Sequence, residues 1–167
     1  MPRGAYVIAE GYRPGIVGRI VSMHADYYSR EHGFGLAFES KVAAGLAAFI
    51  PRADKPGNHI WTATVDGDIA GSIAIDSEDL GTGEAHLRWF ITDDRLRGSG
   101  AGRDLLTRAV HFCDEQRLPA IQLWTFAGLD AARYLYENLG FTLTEEFSGA
   151  QWGATVIEQR FTRRRPS

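Results

Sequence analysis

One cysteine in 167 residues leaves no partner for an intrachain disulfide, so Cys113 belongs to a chain held by packing and suited to a reducing compartment. No stretch approaches the ~20 consecutive apolar residues of a membrane span. Nor is there a signal-peptide pattern, since Pro2-Arg3-Gly4 leads into a run broken by Glu10 and Arg13. Excess charge of one sign is also missing. A net charge of −3 gives no electrostatic footprint for nucleic acid, and the Arg163-Arg164-Arg165 run is too short to change that. The five histidines never fall into H-E-x-x-H spacing and C-x-x-C is impossible, so no metal site is expected. Internal repeats and low-complexity stretches are absent. These absences imply a cytoplasmic protein that uses neither membrane nor nucleic acid.

What is present is an ordinary globular balance, with 44% hydrophobic and 23% charged residues, enough for one domain over residues 1–167 with a sizeable core. The densest signal lies at residues 85–102. A strand-like run, Ala85-His86-Leu87-Arg88-Trp89-Phe90-Ile91-Thr92, ends in the acidic turn Asp93-Asp94. Then come Arg97 and the alternating glycines Gly98, Gly100 and Gly102, and a helix opens at Arg103. Glycines at such a junction remove the Cβ atoms that would keep a ligand from the backbone. The free N–H groups of the helix start, with the positive end of its dipole behind them, suit a phosphate.

Two phosphate-binding patterns fit badly. A P-loop needs Gly-Lys-Ser/Thr, whereas Arg103 and Asp104 follow Gly102. A dinucleotide fingerprint needs G-x-G-x-x-G, and Arg103 stands where its last glycine belongs.

The other elements follow from periodicity. Tyr6–Glu10 reads as a strand. Pro14-Gly15 starts a helix carrying Ile16, Ile20, Met23 and Tyr27, which Gly33 or Gly35 stops. A second helix over 37–49 carries Val42, Leu46 and Phe49 and ends at Pro51. Residues 60–65 and 69–75 alternate as strands joined by Asp66-Gly67, a strong hairpin signal. With 85–92 they make an antiparallel meander. Only after Gly102 does the order become helix, strand (121–125), helix (131–139), and then a final hairpin over 141–147 and 154–162. That mixture predicts α+β with a mixed, mostly antiparallel sheet flanked by helices, not a doubly wound parallel sheet.

Arg97-x-x-Gly100-x-Gly102 after a strand, followed by Ala131-Ala132-Arg133-Tyr134-Leu135-Tyr136-Glu137-Asn138-Leu139-Gly140-Phe141, resembles the GNAT superfamily of acetyl-CoA-dependent N-acetyltransferases. The likeness is good over residues 59–147. The front segment His24-x-x-x-Tyr28-x-x-Glu31-x-Gly33-Phe34, with Phe38-Glu39 and Gln151-Trp152, looks like the acetyltransferase part of regulators fused to a MarR-type DNA-binding domain. No winged helix is expected here. The chain departs from that subfamily in having Phe126 where Asn is common and Asp94 where Pro is common.

The resemblance implies an acetyl transfer from acetyl-CoA to a small-molecule primary amine, by direct attack in a ternary complex. It places the pyrophosphate on Arg97, Gly98, Ser99, Gly100, Ala101, Gly102 and Arg103, although each arginine has a competing reading as a solvated helix-start residue. The pantetheine arm would run beside Phe90, Ile91 and Thr92, where a backbone N–H polarises the thioester carbonyl. Phe90 and Ile91 are neighbours on a strand, so one of them must be core. Tyr136 stands at the family's general-acid position. The base is open among Glu84, His86, Glu39, Glu31, His24 and a water wire, with Glu84 or the water wire preferred. His24, Tyr28 and Glu39 are assigned to the acceptor, with Glu39 expected to hold a cationic one. Cys113, at helical spacing from Leu106, Ala109 and Val110, reads as core. Rival functions are an acyl-CoA sensor without turnover and a peptide N-acetyltransferase. A homodimer is a further expectation.

Overall fold

The computed structural model describes residues 5–167. Its elements run β1 (Val7–Glu10), α1 (Ile16–His32), α2 (Leu36–Phe49), β2 (His59–Val65), β3 (Asp68–Asp76), β4 (Ala85–Thr92), α3 (Ala101–Glu115), β5 (Ala120–Phe126), α4 (Asp130–Asn138), β6 (Thr142–Gly149) and β7 (Val156–Arg164). The seven strands form one sheet in the order β1-β2-β3-β4-β5-β7-β6. Only the β4–β5 pair is parallel. The expected α+β class and mostly antiparallel sheet are therefore observed. No described helix is long and apolar enough to cross a membrane.

Each face of the sheet is buried under a helix pair, because the apolar positions of the strands alternate and those of the helices form stripes. On one face Ile20 of α1 and Leu46 and Phe49 of α2 pack on Ile60, Ala74 and Ile91. On the other, Leu105, Leu106, Ala109 and Cys113 of α3 pack on Ile73, Leu123 and Phe161. Burying a leucine as fully as Leu105 or Leu106 stabilises the fold by about 1.5–3 kcal/mol each. Cys113 is core, as its spacing implies, and burial lifts its thiol to about 12, far from any nucleophilic state.

Two departures from regularity shape the centre of the sheet. Ser72 pairs with Ile91 and Ala74 with Arg88, so Trp89 and Phe90 together face the single residue Ile73. This is a β-bulge, and it forces Trp89 to the left-handed φ of 50°. The extra residue puts Arg88 and Trp89, consecutive in sequence, on the same face, toward α2. The second departure is that β4 and β5 pair only at Ala85↔Ile121 and His86↔Gln122. Beyond those two rungs the strands part, and the sheet splits into a V.

Candidate active site

The V opens into a cleft of about 460 Å³. Leu87 to Phe90 of β4 form one wall and Leu123 to Phe126 of β5 the other. His24, Tyr28, Phe38 and Lys41 of α1 and α2 close one side, and Trp152, from the turn between β6 and β7, closes the mouth. The backbone edge of β4 that faces β5 is unpaired along this stretch.

At one end of the V the chain runs through Asp93, whose side chain caps a short 3-10 turn by accepting from the Arg95 amide at 3.0 Å. Asp94, where Pro is common, sits in that turn as a simple variation, paired with Arg97 at 3.1 Å on the surface. The helix α3 then begins two residues earlier than expected, so Gly102 lies inside it. Only Gly98 and Gly100 take left-handed backbone, at φ 73° and 84°. A Cβ on Gly100 would meet no protein atom within 4 Å. Gly102 needs no special φ, and its Cβ would lie 3.5 Å from Leu135, 3.8 Å from Phe90 and 4.0 Å from Thr92, in ordinary contact. Alanine there would favour the helix by nearly 1 kcal/mol. The fold alone gives no reason for this glycine, whereas a ligand passing between α3 and β4 does. Among the described residues, the amides of Gly98, Gly100, Gly102 and Arg103 donate to no protein acceptor. Ala101 donates to Ser99 Oγ at 3.1 Å, and Ser99 Oγ donates to Leu96 O at 2.6 Å, which locks the loop. Four free donors on a locked loop at a helix start match the demands of a pyrophosphate. Arg103 is exposed and, among the described residues, has no ion pair.

Tyr136 projects from α4 into the cleft, its ring 6.1 Å from that of Phe90. Its residue surface is only 6% exposed, while Tyr134 is 63% exposed, so the two face opposite ways. Burial, and secondarily the hydroxyl of Tyr28, push the Tyr136 phenol well above its ordinary value. A phenol held protonated is a donor. Tyr28 of α1 also lines the cleft and is likewise raised by burial. His24, one turn before it, donates from Nδ1 to Ile20 O at 2.8 Å. Burial holds His24 neutral, down to about 4. Phe126 packs against Tyr28, His32, Phe34 and Trp152, with ring centroids 4.9–5.9 Å apart. Phe126 is thus part of an aromatic wall.

Charged groups gather where the end of β3 meets β4. Asp76, fully buried, is gripped by Arg52 at 2.9 and 3.2 Å and by the amides of Glu78 and Asp79 at 3.0 and 3.3 Å. Burial pulls its carboxyl upward, but these contacts outweigh that and hold it below its ordinary value. His86 Nδ1 lies 2.7 Å from Asp79 Oδ2, with the ring set edge-on to Trp124 at 5.0 Å. Arg88 lies on the same face of β4, its guanidinium carbon 4.1 Å from the centre of the Trp89 ring. Among the described residues, no group of three or more His, Cys, Asp or Glu is placed to hold a metal.

Several expected residues meet here. Phe90 faces the cleft, Ile91 is buried in the α1/α2 core and Thr92 is exposed beside Gly102. His24 and Tyr28 line the acceptor side. Two expectations need correction. Glu84 lies before the first rung of β4 and is 3.5 Å from Gln122 Nε2, outside the residues that line the cleft. Glu39 lies in a separate surface groove with Ser22, Asp26 and Ser29, because the buried stripe of α2 runs through Phe38 and Val42 and turns Glu39 away. Among the described residues, the charged residue of α2 that reaches the cleft is Lys41, which donates to Gln151 Oε1 at 3.0 Å. Sequence reasoning missed Arg88, Asp79 and Trp152. A lone arginine inside an apolar strand run was the available signal for the first.

A family model described as "Acetyltransferase (GNAT) family" matches residues 18–141. Among curated proteins, N-acetylaspartate synthetase of Danio rerio is 28% identical over 161 residues, covering 93% of this chain and 56% of the relative. The Rattus norvegicus protein of the same name is 35% identical over 86 residues, covering 52% of this chain and 28% of the relative. An L-amino acid N-acetyltransferase of Escherichia coli is 29% identical over 94 residues, covering 54% of this chain and 57% of the relative. The chain thus spans little more than half the length of these relatives at most. Among solved structures, a Salmonella typhimurium protein with its cofactor acetyl-CoA superposes with a TM-score of 0.77 at 15% identity, covering 98% of this chain and 95% of the other. An acetyltransferase of the GNAT family from Staphylococcus aureus gives 0.74 at 19% identity, covering 96% and 99%. At those identities the superpositions establish the fold.

Proposed function

Since the chain belongs to the acetyltransferase (GNAT) family, we propose that it transfers an acetyl group from acetyl-CoA to the amine of a small amino-acid-like acceptor. The observation that supports this reading is the β4–β5 split, a cleft lined by Tyr136 and by Phe90 of the strand that runs on to four free loop amides. The amides of Gly98, Gly100, Gly102 and Arg103 bind the pyrophosphate, with Arg103 and Arg97 adding charge at the surface. The unpaired edge of β4 from Phe90 to Thr92 orients the pantetheine arm, and a backbone N–H there polarises the carbonyl. Acetyl-CoA supplies an activated acyl group on a thiol leaving group.

Tyr136 donates a proton to the departing sulfur. The amine enters from the His24–Tyr28 side and must lose a proton before attack. We assign that proton to His86 Nε2. Asp79 accepts from Nδ1, so Nε2 carries the lone pair, and the imidazolium formed stays paired with a carboxylate. Neutral His24 is held too weakly basic for that step and serves as an acceptor of a hydrogen bond. The N–C bond forms, the C–S bond breaks, one proton passes to sulfur and one net proton leaves to solvent.

The names of the Danio rerio and Escherichia coli relatives support an amino acid as acceptor. We extend the proposal to a single domain working in the cytoplasm as a homodimer, with an acceptor wall of the kind found in the MarR-fused regulators. The test is thiol release from acetyl-CoA across a panel of amino acids, polyamines, aminoglycosides and peptides. Turnover with free amino acids is expected. Acetyl-CoA binding without turnover would identify a sensor, and turnover with peptides alone a peptide acetyltransferase. His86→Gln should lower kcat by about 10²–10⁴-fold with acetyl-CoA affinity unchanged, and an unchanged kcat would return the proton to water.

A further inference from the structure

Among the described residues that line the cleft, Arg88 is a partly exposed cation held by two long ion pairs. Its side chain is 23% exposed, and it lies 3.5 Å from both Asp76 Oδ2 and Asp79 Oδ2. Those carboxylates are already committed to shorter contacts, Asp76 to Arg52 at 2.9 Å and Asp79 to His86 at 2.7 Å. Arg88 is therefore held to them by long contacts only, with a weak hydrogen-bonding contribution from Asp76. It nevertheless stays a cation, because burial can only press down on a group whose ordinary value is very high. The Trp89 ring covers one face of the guanidinium, Nη1 points toward Asp76 and Asp79, Nη2 lies beside Gly45, and the partly exposed side chain lines the cleft.

The fold makes room for this arrangement. A Cβ on Gly45, in the middle of α2, would lie 3.0 Å from Arg88 Nη2 and 3.0 Å from Trp89 Cζ2. Glycine there costs the helix nearly 1 kcal/mol relative to alanine, and the close approach of Arg88 and Trp89 accounts for it. The lining of the cleft contains Lys41, His24, His86 and Arg88 but no aspartate or glutamate. That lining favours an acceptor that brings a negative charge of its own.

We propose that Arg88 is the anchor for a free carboxylate on the acceptor, so that the substrate class is an α-amino acid rather than a simple amine or an amino-acid amide. This rests on the transferase reading above. A planar guanidinium edge matches a carboxylate in two parallel N–H···O contacts. His86 and Arg88 are two residues apart on one strand face, roughly 7 Å along the chain. That span suits an amine at His86 Nε2 with a carboxylate one carbon away on Arg88. The outward turn of Glu39 points the same way, since the acceptor side offers cations and not the carboxylate a cationic substrate would need.

The experiment compares L-aspartate, L-alanine and L-leucine with their α-carboxamides as acceptors for the wild-type protein, by thiol release. Acids should exceed amides by about 30- to 100-fold in kcat/KM, chiefly through KM, because the amide leaves Arg88 unpaired. Arg88→Met should bring that ratio near one with acetyl-CoA affinity unchanged, and Arg88→Lys should restore part of it. Calorimetry with the CoA-loaded protein reads the same preference without turnover. Amides used as well as acids by the wild type, or a ratio preserved in Arg88→Met, would overturn the assignment. Failure to acetylate any amine, with acid-selective binding retained, would instead overturn the transferase reading and leave the carboxylate site standing.

Discussion

Protonation of His24 should set the acid limit of the fold's stability. The imidazole is 6% exposed, it donates one N–H to Ile20 O, and burial lowers its pKa to about 4 from an ordinary 6.5. A depressed value means that the native state resists protonation while the unfolded chain accepts it. The stabilisation is complete above pH 6.5 and is lost as pH falls toward 4. Each tenfold loss of proton affinity on folding is worth about 1.4 kcal/mol, so the full effect is about 3 kcal/mol. About 2 kcal/mol of it should already be gone at pH 5, a large share of the ~5–15 kcal/mol that holds an ordinary domain. Urea denaturation at pH 7.5, 6, 5 and 4.5 measures the loss. His24→Gln should be less stable at pH 7.5 but should lose about 2 kcal/mol less than wild type on going to pH 5. Parallel losses in the two proteins would refute the argument and move the acid sensitivity to the carboxylate network at Asp76.

Tyr136→Phe should reduce kcat about ten- to a hundredfold with little change in acetyl-CoA affinity, because the lost contact strengthens only as charge develops on sulfur. Tyr134→Phe, 63% exposed, is the control and should leave kcat nearly unchanged; equal effects in steady-state assays would reduce Tyr136 to packing. Gly100→Arg should abolish acetyl-CoA binding in calorimetry while circular dichroism stays native, since the new side chain enters space no protein atom occupies and the left-handed φ costs only about 1–2 kcal/mol.

Much of the fold was legible because its signals are local. Asp66-Gly67 marks the β2–β3 hairpin, and Gly98 and Gly100 mark the turn into α3 because both need positive φ. What stayed hidden depends on neighbours distant in sequence. The bulge at Trp89 carries no glycine, and only its pairing against Ile73 shows that Arg88 and Trp89 share a face. Glu39 was misread from its charge alone. Its one-residue offset from Phe38 rotates it by about 100° from the buried stripe, whereas Lys41, three residues on, returns to that side. Glu84 failed for a different reason. It precedes the two rungs that hold β4 to β5, so it sits at the closed end of the V. The His86–Asp79 pair depends on how the β3–β4 loop folds back, which no spacing rule reports.

The split between β4 and β5 also bears on how this chain avoids sticking to others. A strand with an unpaired backbone edge is a template for intermolecular β-pairing and a common start of aggregation. Here that edge is turned inward, with helices covering both faces of the sheet on either side of it. A single extended chain one strand wide can enter, whereas the edge of another folded sheet cannot bring its neighbouring strands along. The same geometry that leaves backbone groups free for a cofactor therefore keeps them from other proteins. The exposed edge strand β6, by contrast, carries Glu145 and Glu146 in its middle, charges that oppose pairing with a like strand.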